Sequence, residues 1–365
     1  MTTGLQLAVV IPTFNEAANV GVMVERLYAT LGDTGWEVIF VDDDSPDGTW
    51  AELRRLSSRH SAVRCIRRID RRGLASACIE GMLSTSAPCL AVMDADLQHD
   101  ETLLPAMLEL LKTENLDVVV GSRFVEGGDA STFPDDRAAK TALATRLSRL
   151  LVPEDLRDPM SGFFMITRDA FERAVQRLSG TGFKILLDLF ASSPEPLKFR
   201  ELPYTFGQRH AGESKLDNQA FWDYGMLLLD KLVGRYIPVR FVAFTMVGGL
   251  GIFVHMAILA VLYKGLGQGF MVSQVWATLV AMTANFMINN IVTYRDLALR
   301  GWAWVRGWFS FVLACSIGAA ANVGVATWLF EQDSAWFVAG FAGILVGAVW
   351  NYAVTRTYTW RADGG

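Results

Sequence analysis

Charge is what the second half of this sequence lacks. From Phe241 onward the chain is mostly apolar, with long stretches free of Asp, Glu, Lys and Arg. Four spans, near residues 241–263, 271–293, 308–330 and 335–355, each approach the ~20 apolar residues that cross a bilayer's hydrocarbon core. Their centres hold almost no ionisable group beyond His255. Charges inside a membrane segment mark a transport path, so this scarcity predicts spans that anchor. Cysteine is as scarce: Cys65, Cys78 and Cys89 lack metal-ligand spacing and Cys315 sits in an apolar stretch, which predicts reduced thiols in a cytosolic domain. Neither sign of charge dominates. With 33 Lys and Arg against 38 Asp and Glu, the net charge of −5 points to no nucleic-acid partner. Met1 to Gln6 is short and polar and leads into a strand, so no secretory signal is expected there.

Residues 1–216 have the charge distribution of a soluble α/β protein. Leu7 to Pro12, Trp36 to Val41, Val63 to Ile66, Cys89 to Met93, Asp117 to Phe124 and Phe163 to Thr167 are short apolar runs that read as strands. A helix starting near Glu16 or Ala17 carries Val20, Met23, Val24 and Leu27 on one face, and Gly73 and Leu74 open another over Ala75 to Leu83. Strands alternating with helices imply a mainly parallel, Rossmann-like sheet of βαβ units. Ligands of such sheets bind outside the carboxyl ends of the strands.

The strand ending at Asp94 organises the rest. In Val92-Met93-Asp94-Ala95-Asp96-Leu97-Gln98 an apolar run stops in two carboxylates spaced two apart, followed by an amide. Crowded carboxylates repel one another unless a cation lies between them, and hard oxygen ligands suit Mg²⁺ or Mn²⁺. Asp-x-Asp alone is a common feature of solvated turns; its place at a strand end is what gives it meaning. The second strand also ends in acid, Asp42-Asp43-Asp44-Ser45-Pro46-Asp47-Gly48-Thr49. Two readings stay open for that segment: a turn and helix cap, or acceptors for the ribose hydroxyls and base N–H groups of a sugar nucleotide. Both acidic loops are expected side by side on one sheet edge.

Gly121-Ser122-Arg123 delivers an arginine to the same edge, and Asp158 lies at the turn before Phe163. Lys140, Arg146 and Arg149 read either as a solvated helix face or as part of an anionic-substrate site, because Arg binds phosphate through a bidentate fork. The Gly-bearing segment Gln208 to Lys215 holds Arg209 and Lys215 and is suited to close over a diphosphate, with His210 a packing or hydrogen-bonding residue.

Phe221, Trp222, Gly225, Leu228, Leu229 and Leu232 share one helical face, with Asp223, Asp230 and Lys231 off it, as in an amphipathic helix in the bilayer interface (217–237). Arg295, Arg300 and Arg306 lie between the second and third spans, and Arg356 and Arg361 after the fourth. By the positive-inside rule, the α/β domain and both termini are cytoplasmic. An internal repeat is visible. Asn285-Phe286 followed by Thr293-Tyr294-Arg295 recurs as Asn351-Tyr352 followed by Thr359-Trp360-Arg361, so two similar helical hairpins make up this half. Asn285, Asn289, Asn290, Asn322 and Asn351 are expected to glue helices together.

Six ordered motifs now resemble a known family: Val10 to Glu16, Val41 to Gly48, Asp94 to Gln98, Gly121 to Arg123, Asp158 to Phe163 and Arg209 to Lys215. Together they resemble the polyprenyl (dolichyl) phosphate mannose synthases, inverting GT-A glycosyltransferases of family 2, and the apolar half resembles the GtrA-type four-helix membrane domain fused to some of them. Phe14 stands where that family often has Tyr, a change that keeps a ring able to stack. The resemblance implies an α/β GT-A domain (1–216), the amphipathic helix (217–237) and an all-α four-helix transmembrane domain (238–365). It implies that Pro12, Phe14, Glu16, Val41, Asp43 and Ala95 hold the nucleotide sugar, that Asp94, Asp96 and Gln98 hold a divalent cation, and that Arg209 and Lys215 clamp the diphosphate. Arg123, Arg137, Thr141 and Ser161 would receive the lipid phosphate. Asp158 falls where related enzymes with hydroxyl acceptors carry a base; here, with a phosphate acceptor, it is expected to orient the site. Asp96, Arg123 and Asp158 are thus the expected catalytic group.

The implied reaction is mannose transfer from GDP-mannose to a polyprenyl phosphate at a bilayer, by a chain that is compatible with a homo-oligomer. Two alternatives keep their place: a UDP-glucose:undecaprenyl-phosphate glucosyltransferase, and a lipid-sugar translocator whose active part is the membrane half.

Overall fold

The structure, a computed structural model, describes residues 4–128, 148–149, 151–180, 182, 184–207, 225–231, 234 and 237–361. It divides into two compact units, Met1–Leu232 and Val233–Gly365.

The described residues of the first unit form seven strands: β1 (Leu7–Thr13), β2 (Trp36–Asp42), β3 (Val63–Arg67), β4 (Cys89–Val92), β5 (Val118–Ser122), β6 (Phe164–Thr167) and β7 (Phe199–Pro203). Their order across the sheet is β3-β2-β1-β4-β6-β5-β7. All neighbours run parallel except β6, which is antiparallel to β4 on one side and β5 on the other. The mainly parallel α/β sheet is as the sequence predicts. The acidic ends of β2 and β4 are not side by side, however. They share an edge with β1 between them, because β1 opens the sheet and both later strands add to its flanks.

Period two along β1 decides which helix covers which face. Ala8 and Val10 pack with α3 (Leu74–Leu83), α5 (Arg168–Val175) and α6 (Ile185–Ser192). Leu7, Val9 and Ile11 pack with α1 (Val20–Leu31), α2 (Thr49–Arg59) and α4 (Leu104–Thr113). Both faces are thereby dry, as a parallel sheet requires. The small residue at Gly81 is needed, since a Cβ there would collide with Val10. Helix α1 begins at Val20, later than the expected Glu16 or Ala17. The Asn15, Glu16 and Ala17 amides instead donate to Ser45 Oγ (3.0 Å), Thr49 Oγ1 (2.9 Å) and Asp47 Oδ2 (3.2 Å), so the post-β1 loop is tied to the post-β2 loop.

Within 217–237 the described stretch 225–231 is helical. Leu227 and Leu228 are buried in the first unit's core, and Lys231, off the apolar face by periodicity, reaches the buried Asp188 at 2.7 Å.

Among its described residues the second unit has four long helices, α7 (Val239–Ala260), α8 (Phe270–Ile288), α9 (Gly301–Glu331) and α10 (Trp336–Val354). With their terminal turns they form apolar spans of 27, 24, 31 and 24 residues. At 1.5 Å per residue, each exceeds the ~30 Å hydrocarbon core. The third span starts at Gly301, not near 308, so Arg306 lies in a helix and not in the linker; Trp304 and Trp308 in its first turns pack against the aromatic core. The repeat predicted from sequence is built symmetrically. Both hairpins end in a π-helical turn, Asn289–Thr293 and Thr355–Thr359. The equivalent Tyr294 and Trp360 stack on one another at 4.2 Å and 5°, and Trp360 Nε1 donates to Asn290 Oδ1 at 2.9 Å.

The equivalent Asn285 and Asn351 press against glycines of the preceding helix, Gly251 and Gly318. Their Oδ1 atoms are buried without a hydrogen-bond partner among the described residues; each lies where a Cβ would stand, as in a weak Cα–H···O contact. Asn322 packs on Gly343 in the same way. Gly318→Ala is therefore expected to cost about 1–3 kcal/mol by overpacking and to lower the detergent melting temperature. Gly324→Ala, which meets nothing within 4 Å on the same helix, is expected to be neutral or mildly stabilising. Equal melting temperatures for the two variants would show that the asparagine–glycine contacts do not hold the hairpin.

Candidate active site

The carboxyl edge of the sheet gathers side chains from the ends of β1 to β5, from the segment before β6 and from the end of β7. On the β1–β2 side, the turn-and-cap reading of Asp42 to Gly48 holds for Asp42 and Asp47. Asp42 accepts from Thr13 Oγ1 (3.3 Å) and from Ser45 N (3.1 Å) and Oγ (2.5 Å), and Asp47 accepts from Thr49 N (3.0 Å) and Oγ1 (2.6 Å). These two build the turn and the start of α2. Asp43 is different. Its carboxylate accepts from the buried Arg68 guanidinium (2.8 Å) and from Gly73 N (2.8 Å). Burial holds its carboxyl above the ordinary range, against the pull of the Gly73 amide and Arg68. Phe14 lies near Asp43, since Arg72, whose charge acts on Asp43, sits 4.4 Å over the Phe14 ring. Pro12 and Val41 flank them at the ends of β1 and β2.

Arg68 and Arg72 were not singled out by the sequence reading. The signal was the run Arg67-Arg68-Ile69-Asp70-Arg71-Arg72 directly after β3, the strand beside β2.

At the end of β4, Asp94 keeps 37% of its side chain open while Asp96 is buried. Burial holds the Asp94 carboxyl above the ordinary range, and the Asp96 charge adds to this while His99 opposes it. His99, also missed from sequence, accepts from Asp94 N through Nδ1 (3.1 Å), with its Nε2 3.8 Å from Asp94 Oδ2. Burial keeps this imidazole below its usual range and so neutral; with Nδ1 accepting, the proton is on Nε2 and faces the carboxylate. Gln98 donates from Nε2 to the Gly207 carbonyl (2.9 Å) and accepts from Gly207 N (2.9 Å), which ties the Asp96 loop to the segment after β7.

Two repelling carboxylates on one strand end fit a hard divalent cation. Among the described residues no group of three or more His, Cys, Asp or Glu side chains can hold a metal by itself. The pair is thus a partial set of the kind that substrate phosphates complete.

The third part joins β5 to the segment before β6. Arg123 donates from Nε and Nη2 to the two oxygens of Asp158 (2.8 and 2.9 Å), and its backbone N–H donates to Asp158 as well (3.2 Å). Asp158 is fully buried. Burial works against the guanidinium charge, and the Asp158 carboxylate more than offsets it. Ser161 donates to the Gly121 carbonyl (2.6 Å), so its hydroxyl is committed to the backbone of β5. Gly162 brings this segment against β4, since a Cβ there would stand 3.0 Å from Asp94 Oδ2. Tyr204, packed edge-on to His99 and Phe163, has a buried hydroxyl without a partner among the described residues.

The structure therefore brings Pro12, Phe14, Glu16, Val41 and Asp43 to one part of the edge, and Asp94, Ala95, Asp96, Gln98, Arg123, Asp158 and Ser161 to another. Arg137, Thr141, Arg209 and Lys215, and with them Lys140, Arg146 and His210, lie outside the described residues.

Residues 8–174 match the family described as Glycosyl transferase family 2, and residues 243–360 match the GtrA/DPMS transmembrane domain. The chain is 33% identical to a dolichol-phosphate mannosyltransferase of Pyrococcus furiosus over 98% of its own length and 99% of the relative's. It is 34% identical to the Saccharomyces cerevisiae protein of the same name, over 64% of this chain and 89% of that one. An undecaprenyl-phosphate mannosyltransferase of Micrococcus luteus is 30% identical over 58% of this chain and 88% of that one.

Proposed function

The chain belongs to the family-2 glycosyl transferases that carry a GtrA/DPMS transmembrane domain, and from that premise we propose that it transfers mannose from GDP-mannose to a polyprenyl (dolichyl-type) phosphate. A phosphate oxygen of the acceptor attacks the anomeric carbon as the bond to the diphosphate breaks. Configuration inverts and GDP leaves.

The observation that carries this reading is the state of Asp158. A sugar hydroxyl must lose a proton to become a nucleophile, and a base must take it. Asp158 is buried and held on both oxygens by Arg123, and His99 presents a protonated Nε2. A phosphate monoester has its second pKa near ~6 and is largely dianionic at neutral pH. It needs positioning, not deprotonation. The relatives' names, which specify dolichol or undecaprenyl phosphate, agree with an acceptor of that class.

In this reading Phe14, Glu16, Asp43 and the backbone at Pro12, Val41 and Ala95 hold the nucleoside. Arg209 and Lys215 clamp the diphosphate, and Arg123, Arg137 and Thr141 receive the acceptor phosphate; Ser161, whose hydroxyl is taken up by the Gly121 carbonyl, shapes the segment and does not bind it. Asp94, Asp96 and Gln98 would hold Mg²⁺ or Mn²⁺, which when bound neutralises charge growing on the leaving diphosphate. The domains are those expected from sequence, 1–216, 217–237 and 238–365, with the catalytic part and both termini cytoplasmic.

The test is radiolabelled sugar transfer to a polyprenyl phosphate in detergent, with GDP-mannose and UDP-glucose in parallel, each with and without Mn²⁺. Metal-dependent transfer from GDP-mannose is expected. Transfer from UDP-glucose alone would overturn the donor, and transfer without metal would overturn the role of the aspartates.

A further inference from the structure

One cation inside this cluster has been given no part so far. Lys184 immediately precedes α6, and its partly buried side chain reaches the segment that carries Asp158. There its ammonium donates to the Met160 carbonyl at 3.4 Å. That is its only hydrogen-bond acceptor among the described residues. An ammonium has three donors, and a single long contact in a shielded place leaves it short of partners, which is costly unless an anion arrives. The neighbouring cation is differently placed. Arg123 commits Nε and Nη2 to Asp158, so the edge of its fork facing that carboxylate is occupied.

We propose that Lys184 binds the acceptor: its ammonium takes an oxygen of the phosphate monoester beside Arg123 and acts as a point charge where the guanidinium fork is held by Asp158. The inference rests on the acceptor class proposed above and adds a residue to it. Two observations put Lys184 on the acceptor side of the site and not with the donor diphosphate. Its hydrogen-bond partner, Met160, belongs to the Asp158 to Phe163 segment. The charges acting on it are first Arg123 and Asp158, and only then Asp94; burial, the largest influence, disfavours its charged form until an anion is present.

The test uses the full-length protein in detergent with farnesyl phosphate as a short, soluble acceptor. Lys184→Met is expected to weaken farnesyl phosphate binding, measured by calorimetry, by about tenfold or more, the effect of one charge-assisted hydrogen bond. The KM for farnesyl phosphate should rise in parallel, the KM for GDP-mannose should stay within about twofold, and Lys184→Arg should recover most of the loss. A lysine that only balances buried charge would lower the melting temperature and leave the acceptor KM alone; that result overturns the proposal. So does a loss confined to GDP-mannose, which would move Lys184 to the donor. If the wild type binds farnesyl phosphate but transfers no mannose to it, the donor reading fails while the calorimetric comparison still decides Lys184. Equal farnesyl phosphate affinity in wild type and Lys184→Met overturns the assignment in every case.

Discussion

Replacing Asp96 by Ala is expected to lower mannose transfer by about 10³-fold or more at saturating Mn²⁺, with the melting temperature unchanged or slightly higher. A metal-assisted stabilisation of the leaving group is worth several kcal/mol, and each ~1.4 kcal/mol is a factor of ten in rate. Stability should move the other way because of what Asp96 does in the fold. It accepts a 3.2 Å hydrogen bond from Gln98 N, and its charge adds to the burial that already holds the Asp94 carboxyl high. Removing it relieves the repulsion between neighbouring carboxylates, which offsets the loss of that hydrogen bond. Activity that collapses while the fold holds marks a residue used on substrate. The pH dependence has a fixed sign. Because burial holds the Asp94 carboxyl above the ordinary range, protons compete with the cation there, so the Mn²⁺ concentration for half-maximal rate should rise as pH falls. Asp96→Ala with near-normal rate, or a Mn²⁺ requirement that does not change with pH, would remove the cation from Asp94 and Asp96.

Such a prediction was within reach of the sequence because the abrupt change from Val92 and Met93 to Asp94 and Asp96 records both the strand and its end. Hydrophobic period and turn residues likewise disclose β1 to β6, and the repeat of Asn285 and Tyr294 at Asn351 and Trp360 discloses two hairpins. Strand direction is another matter. Nothing in the apolar run Phe163 to Thr167 says that β6 enters antiparallel between β4 and β5, since period two is the same either way. The later start of α1 depends on hydroxyl and carboxylate groups some thirty residues further along the chain. The same holds for the site. Asp94, Asp96, Arg123 and Asp158 stand out because acids and an arginine at strand ends are locally unusual. Lys184 before an apolar helix, His99 after a turn and Arg68 in a basic run have no local mark; each acquires its role from a neighbour distant in sequence. Asp42, Asp43 and Asp47 look alike on paper, and only their partners separate the two turn-builders from the one that meets Arg68.

The Arg123–Asp158 pair leads to the largest expected effect on stability and to the sharpest test of the chemistry. Asp158→Ala leaves a shielded guanidinium without its carboxylate, a loss of about 3–5 kcal/mol for a broken buried pair. For a unit of this size that lowers the melting temperature by roughly 6–20 °C. Asp158→Leu combined with Arg123→Met should recover much of that loss, because an apolar pair avoids the cost of desolvating two charges, yet it should remain inactive. Recovery of both would reduce the pair to architecture. Asp158→Asn separates orientation from base catalysis. The amide retains one acceptor for Arg123 and gives up the charge, so transfer should fall by at least about tenfold through loss of orientation. The pH–rate profile should nevertheless keep its shape, since its acidic limb then belongs to the acceptor phosphate, whose second pKa lies near ~6. If Asp158 were the base, that limb would vanish in the variant. A flat profile would therefore make Asp158 a proton acceptor, and with it would fall the reason for choosing a phosphate over a hydroxyl as the nucleophile. A near-normal rate for Asp158→Asn would instead remove the orienting role from the Asp158 charge.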